Sequence, residues 1–456
     1  MRRKSLFTFA LSCLALLTGC GGSGPAQVPL GTSTVSLTMH DTPPAGVTVL
    51  SFQISVTGAT LNPLQAIGSV QTPVSILKMP LDVELTQLLT DSTFLSATNV
   101  PEGTYQDIVL TFANPRMTIQ NTSGGAIGSC ANGATCELTP TLSSASVTYP
   151  IALGLSPSSQ VGLQVDFDLS QSIQPDFSIN PTVRVSQLST LVGPQGSAGI
   201  DQIDTIEGLV TAEQPISQRF GLNTSSGQTL TIYDGNTQYH DFTQWGFING
   251  QTVRMQAMLH ADGTLWATDS YLLQDPTEAK AQGLFVGVIS RVDSSTQFHM
   301  VVHNLLGTTS GVQIGNVVTV GIQGGTTFDV ATRGLTVPSG LSFASPSDLI
   351  AGQEVQVSVA SGSSGVDITT DQITLLTSQL NGTISQTAPT GFTLTNLPSL
   401  FTSMGNTTIS VAVQPETQIG NVPSLSADEN VAVCALLFSN AGAPSMVASK
   451  VSGQLP

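Results

Sequence analysis

From Thr34 onward apolar and polar residues alternate in short runs, first Val35, Leu37 and Met39, then Val49 through Val56, then Ile108, Leu110 and Phe112. A period of two, interrupted by Gly, Pro and Asn, marks strands with one buried face and predicts antiparallel β-structure. Pro80 to Leu89 departs from this, because Leu81, Leu85, Leu88 and Leu89 fall at near-helical spacing. One short helix or turn on a β-sandwich is expected there. Residues 20–33 and 191–204 carry small residues, Gly and Pro without periodicity and read as a flexible tether and a linker. Between them, residues 34–190 form the expected β-sandwich domain.

Beyond the linker a pattern returns three times. Ile206-Glu207-Gly208-Leu209-Val210, Phe285-Val286-Gly287-Val288-Ile289 and Leu380-Asn381-Gly382-Thr383-Ile384 each open a block, and a strand centred on Phe220, Phe298 or Phe392 follows. Late in the blocks come Asn249-Gly250-Gln251-Thr252-Val253 and Ala351-Gly352-Gln353-Glu354-Val355, degraded in the third to Ala427-Asp428-Glu429-Asn430-Val431. The glycine in that late motif suits a turn of positive φ ahead of a closing strand. The opening glycines are 79 and 95 residues apart, too long and uneven for a solenoid. Three separate small barrels are expected, over residues 205–275, 280–377 and 378–456. The fold class is therefore all-β, an antiparallel sandwich followed by about three small OB-like barrel repeats.

The extreme N-terminus carries a different signal. Arg2, Arg3 and Lys4 precede an apolar run from Leu6 to Leu17, and Leu17-Thr18-Gly19-Cys20 follows. The run is short for a membrane span, which needs about 20 residues, and the whole arrangement resembles a secretory signal ending in a lipobox. That resemblance implies cleavage before Cys20 and acylation of its thiol; the alternative is an ordinary cysteine near a conventional cleavage site. The arginine pair also resembles a twin-arginine signal, but the rest of that motif is poorly matched and Sec export is simpler. Two or three acyl chains, at ~0.8 kcal/mol per buried methylene, anchor a protein without crossing the membrane. Gly21 supplies no acidic inner-membrane retention signal, so the expected address is the cell envelope, at the outer membrane of a two-membrane bacterium.

Composition narrows the partners. The chain has 12 Lys+Arg against 29 Asp+Glu, a net charge of −17, and all three basic residues of the leader lie before Cys20, leaving −20 on the remainder. Such a surface repels nucleic acid, so no nucleic-acid partner is expected. Cys130 and Cys136 flank Asn132-Gly133 in a short polar stretch, and an Asn-Gly turn brings two cysteines to disulfide distance. A two-cysteine metal site is the alternative, though further ligands are lacking nearby. Cys434 sits among apolar residues as a buried strand residue.

Catalytic signatures are missing. The chain has no Gly-x-Ser-x-Gly elbow, phosphate-binding glycine loop, His-Glu-x-x-His or EF-hand loop, and only five histidines. His299 and His303 share a strand face but lie roughly 13 Å apart, which reads as a plain polar face rather than a metal site. Asp166 and Asp168 share a face and could bind calcium, but solvated side chains are the simpler reading. No catalytic residue, metal or cofactor is expected. The aromatics are less evenly spread: Trp245, Trp266, Tyr233, Tyr239 and Tyr271 all fall in the first barrel of a chain only 5% aromatic. Tyr239, Trp245, Trp266 and Tyr271 are the candidate ligand-binding residues, with core packing as the alternative. The expected role is non-catalytic binding or scaffolding in the envelope, adhesion included, with a glycan or envelope protein as partner. A carbohydrate-binding accessory protein is the alternative, and an envelope hydrolase comes third; the latter would need a pocket gathering acidic residues or His with shifted pKa.

Two family resemblances fit this reading. Val35-Ser36-Leu37-Thr38-Met39-His40-Asp41-Thr42-Pro43, Pro80-Leu81-Asp82-Val83, Val100-Pro101-Glu102-Gly103-Thr104-Tyr105, Val165-Asp166-Phe167-Asp168-Leu169 and Pro181-Thr182-Val183-Arg184-Val185 occur in order. Over about residues 33–190 the series resembles domain of unknown function 4382 of bacterial lipoproteins, which implies an exported β-sandwich and no activity. The three later blocks resemble domain of unknown function 5666, which implies five-stranded, OB-like barrels.

Overall fold

The computed structural model describes residues 31–42, 48–64, 72–192, 198–214, 218–224, 227–240, 242, 246–275, 283–307, 311–360, 363, 365–420, 424–440 and 443–453. Among these the chain is almost entirely β, a sandwich followed by three barrels. Cys20 and the tether fall outside the described residues, as does Trp245.

One sheet of the sandwich orders its strands Val183–Gln187, Gln160–Asp168, Thr32–Thr42, Thr93–Pro101. The other is built on a long antiparallel pair, Thr48–Pro63 with Gly103–Gln120, flanked by Val74–Ser75, Leu81–Glu84, Thr135–Leu138 and Ser146–Leu155. Alternate residues of both sheets meet in one core, where Phe167 lies 5.3 Å edge-on to Phe112 and 6.1 Å from Phe52. The buried Tyr105 hydroxyl donates to Pro101 O at 2.8 Å, pinning the turn that reverses the chain between the two sheets. Thr32–Thr42 runs parallel to Gln160–Asp168 rather than antiparallel. An alternating pattern reports which face is buried and carries no strand direction.

The segment expected as a short helix or turn begins as a strand and only then turns. Leu81, Val83 and Leu85 alternate into the core while Leu81–Glu84 pairs with Gln53–Val56, and only Leu85–Gln87 turns into a 3-10 helix. An available partner strand outweighs a weak helical spacing.

The barrels share one topology. Their five strands are Asp201–Gln214, Arg219–Thr224, Thr229–His240, Thr252–Leu259 and Leu265–Gln274; then Gly283–Ser294, Gln297–Gly307, Val317–Val330, Glu354–Val359 and Asp367–Leu375; then Thr377–Ala388, Gly391–Thr395, Ile409–Ala412, Asn430–Asn440 and Ala443–Gly453. In each, the strand order around the ring is 1-2-3-5-4, closing back on 1, and strands 3 and 5 pair in parallel. This is the OB-like arrangement. The third barrel adds a short strand, Gln418–Gly420, beside its last. The first barrel begins at Asp201 rather than 205, because Ile200 and Ile203 already point into its core.

The recurring motifs have a common physical basis. A Cβ on Gly208, Gly287 or Gly382 would come within 2.5, 2.0 or 2.9 Å of a strand-2 carbonyl oxygen, so strands 1 and 2 cross too closely for a side chain. In the late motif Gly250, Gly352 and Asp428 occupy the same left-handed position, with φ of 93°, 94° and 69°. Their amides bond to Val210, Ile289 and Ile384 of strand 1, and the next side chain, Gln251, Gln353 or Glu429, accepts the amide three residues back. Phe220, Phe298 and Phe392 of strand 2 fill the respective barrels.

The barrels are not separate. Leu436, Phe438 and Val447 of the third pack in the core cluster of the second. Val301 and Ala351 of the second, with Leu50 of the sandwich, pack into the third. Closed barrels leave apolar outer faces unburied, so neighbours cover them, and a repeat pattern read one block at a time does not report this.

Candidate functional site

The aromatic residues singled out in the first barrel do not converge. Tyr239 is half-buried at one end of the barrel, 5.2 Å from both Phe242 and Phe247, with its hydroxyl donating to Asp234 Oδ2 at 2.5 Å. Burial, then the Asp234 carboxylate, push its hydroxyl pKa up. Tyr271 is buried, stacked on His240 at 4.4 Å and capped by the Arg333 guanidinium at 5.5 Å, so it belongs to the seam with the second barrel. Among the described candidates only Trp266 is exposed, at 37%. Its ring stacks on Tyr233, centroids 5.1 Å apart and planes 17° apart.

The other candidates resolve into structural roles. Cys130 and Cys136 form a disulfide with Cα atoms 5.9 Å apart, around a turn where Gly133 has φ of 80°. Cys434 is buried and free, and burial pushes its thiol pKa up. Asp168 is not solvated: it is buried and caps the four-residue helix Leu169–Ser172, accepting Gln171 N at 3.1 Å and Gln171 Nε2 at 2.8 Å. An acidic residue at that position satisfies amides the short helix leaves free. Asp166 lies beside Arg184 in the ladder. Among the described residues no group of three or more His, Cys, Asp or Glu is placed to hold a metal.

Sequence reasoning treated His299 and His303 alike, and the structure separates them. His299 is half-buried, with Nε2 2.7 Å from Asp293 Oδ2. His303 lies four residues on, at a bulge between Val302 and Asn304, where the second barrel meets the sandwich and the third barrel. Its Nδ1 is 2.9 and 3.0 Å from the two Glu354 oxygens, its Nε2 is 2.5 Å from Leu50 O, and the Gln87 amide lies 2.9 Å away. Burial alone would push the imidazole down; the charge and hydrogen bond of Glu354, then Glu84 and the Leu50 carbonyl, lift its pKa to about 9. That shift favours the imidazolium, with Nδ1 facing Glu354 and Nε2 facing the Leu50 carbonyl. The glutamate is the fourth residue of the late motif, so the repeat placed it, but no one-dimensional signal joins it to a histidine 51 positions earlier.

Polar contacts spread from this pair across all four modules. Gln379 of the third barrel accepts Thr90 N at 3.1 Å and donates to Asp91 Oδ2 at 3.0 Å, and Lys450 Nζ lies 3.3 Å from Asp91 Oδ1. Asn304 of the second barrel donates to Glu207 of the first. Glu207 faces the buried Arg254 with Oε1 3.1 Å from Nε, off line for a hydrogen bond, so this pair holds by charge. Burial and the nearby Arg333 push the Arg254 pKa down. Asp41 is also buried here, and desolvation and then Asp166 raise its pKa well above the usual carboxylate value.

Two cavities flank His303. One, of about 110 Å³, is lined by Asp41, Glu354, Gln379 and Phe401 among others; the second, of about 140 Å³, by Glu84, Asp91, Glu207 and Arg254. Acidic residues and a histidine of shifted pKa, the groups a hydrolase would need, thus line these cavities. In the structure each of these groups is engaged: His303 by Glu354 and the Leu50 carbonyl, Asp91 by Lys450, and Glu207 by Asn304 and Arg254. The arrangement ties modules together.

Residues 32–181 match the protein family described as Domain of unknown function (DUF4382). The match runs from the first sandwich strand to just before the last, so the DUF4382 segment is the sandwich, and the three barrels lie outside it. No curated protein matches the chain. Among solved structures, one titled "drosophila Unr CSD456" aligns with 55% of this chain and 97% of its own, at 12% identity and a TM-score of 0.14, too low to bear on the fold.

Proposed function

We propose that this chain is a lipid-anchored protein of the cell envelope that works as a rigid, non-catalytic scaffold for envelope partners. The observation that carries the reading is the shared polar junction: the DUF4382 sandwich and three barrels are locked around His303–Glu354, Asp91–Lys450 and Glu207–Arg254. A body so locked presents surfaces in fixed relation, which lowers the ordering cost of engaging a partner. The leader and Cys20 support lipid anchoring, at the outer membrane where two membranes exist. The motif glycines and OB-like ring of each barrel support kinship with domain of unknown function 5666. A disulfide between Cys130 and Cys136 supports an oxidising compartment.

Expression with an alkyne-tagged palmitate in a two-membrane bacterium tests the anchor. The native chain should take up label and sediment with the outer membrane, and Cys20→Ser should do neither. Cross-linking in intact cells then tests the role: one recurrent envelope partner supports scaffolding. An unlabelled, cytosolic chain with its leader attached overturns the reading.

A further inference from the structure

We infer that the outer face of the first barrel carries a binding site for an uncharged glycan, with Trp266 as its platform. The indole is presented as a fixed shelf. Leu265 and Ala267 point into the barrel core and Trp266 therefore points out, directly beside Tyr233 in the parallel pairing of strands 5 and 3. Tyr233 stacks against the indole. Gly235 lies against the same six-membered ring: a Cβ there would stand 3.0 Å from Cζ3, so the ring sits down on bare backbone. Its edge is tied as well, because Nε1 donates to Thr264 Oγ1 at 3.0 Å and that hydroxyl donates to Asp262 Oδ1 at 2.6 Å. A ring held in this way keeps its 37% exposure without losing further side-chain freedom when a ligand arrives.

The surroundings select the ligand. Next to Tyr233 on the outward face of strands 2 and 3 stand Thr231, opposite Gly221, and Thr229, opposite Asn223. Past Arg219, which lies opposite Tyr233, this is a row of small and hydroxyl-bearing residues along which a chain of sugar rings can lie. Pyranoses offer one apolar C–H face to an aromatic ring and hydroxyls to such a polar row. The face formed by strands 2 and 3, with the strand 4–5 loop that carries Asp262 and Thr264, is where OB-type barrels take extended polymers. Charge removes the other polymers of that shape. The net charge of −17 disfavours an anionic strand, and at the platform itself Asp262 is offset by Arg219 opposite Tyr233, leaving a near-neutral face. A neutral oligosaccharide remains. Tyr239 and Tyr271 take no part, being turned into the barrel end and the inter-barrel seam.

The site is independent of the anchor, so its failure would leave the scaffolding reading standing. The test is a panel of immobilised neutral oligosaccharides, anionic oligosaccharides and unstructured peptides, probed with the purified full-length protein, followed by fluorescence titration with the best-retained probe. Binding to a neutral oligosaccharide, with a shift in indole emission, is expected. Trp266→Ala should weaken it about tenfold or more, a loss on the order of 1.4 kcal/mol, while Trp266→Phe keeps part of it and both variants melt as the native protein does. Retention only on anionic sugars or peptides, no retention at all, or unchanged affinity in Trp266→Ala each overturns the inference.

Discussion

Replacing Glu354 by Gln would remove the charge that holds the His303 imidazolium in the junction while keeping size and an acceptor. The magnitude follows from the imidazole pKa. It rises from 6.5 to about 9 in the folded protein, and at about 1.4 kcal/mol per pH unit this is worth about 3 kcal/mol. The sign is that of a base with a raised pKa: the stabilisation is complete below pH 6.5, where both states are protonated, and is lost as pH climbs through 9. Native protein unfolded with urea at pH 6, 7.5 and 9 should therefore lose about 3 kcal/mol across the series. Glu354→Gln should start lower by about 3 to 5 kcal/mol at pH 6, the cost of leaving a buried charge uncompensated, and show a flatter profile. The series stops at pH 9 because the buried Cys434 thiol, its pKa also raised, acts with the same sign above that point. The two proteins are compared by circular dichroism and by protease cleavage in the seams, since loosening between modules can precede unfolding of any one. Parallel pH profiles, or a variant as stable as the native chain at pH 6, would refute the reasoning.

Two other perturbations probe the frame of the molecule. Gly352→Ala places a Cβ at φ of 94° and 2.6 Å from Phe401 Cζ in the third barrel, so a loss of about 2 to 4 kcal/mol is expected in urea melts; Phe401→Leu in the same chain should recover the steric share, and an additive double variant would count against the contact. Reducing the Cys130–Cys136 bridge, or replacing both residues by Ser, should cost roughly 2 kcal/mol for so short a loop and raise proteolysis of residues 121–134 alone. Global unfolding would show that the bridge does more than pin a loop.

Much of the architecture was legible one residue at a time because its causes are local. Alternation marked the strands of the sandwich. The glycines Gly208, Gly287 and Gly382 mark backbone crossings that exclude a Cβ, and Gly250 and Gly352 mark a left-handed turn, so both left a trace in the sequence itself. Cys130 and Cys136 were near enough for their turn to predict the bridge the structure contains. What escaped depends on distant partners. Leu81–Glu84 became a strand because Gln53–Val56 was there to pair with it. Tyr271 is covered by Arg333, 62 positions away, and Tyr239 by the aromatic end of its own barrel, whereas Trp266, among the described candidates, stays exposed on its Tyr233 backing.

The sequence by itself determined the strands, the three-fold repeat and the acidic, cysteine-poor character of the chain, since each is written in neighbouring residues or in composition. Only the tertiary structure decided that the barrels fuse with the sandwich around a buried charge network. His303, Leu50, Glu354 and Gln87 acquire their roles by meeting there, and the energy of a buried ion pair depends on what surrounds it, a quantity that no linear pattern carries.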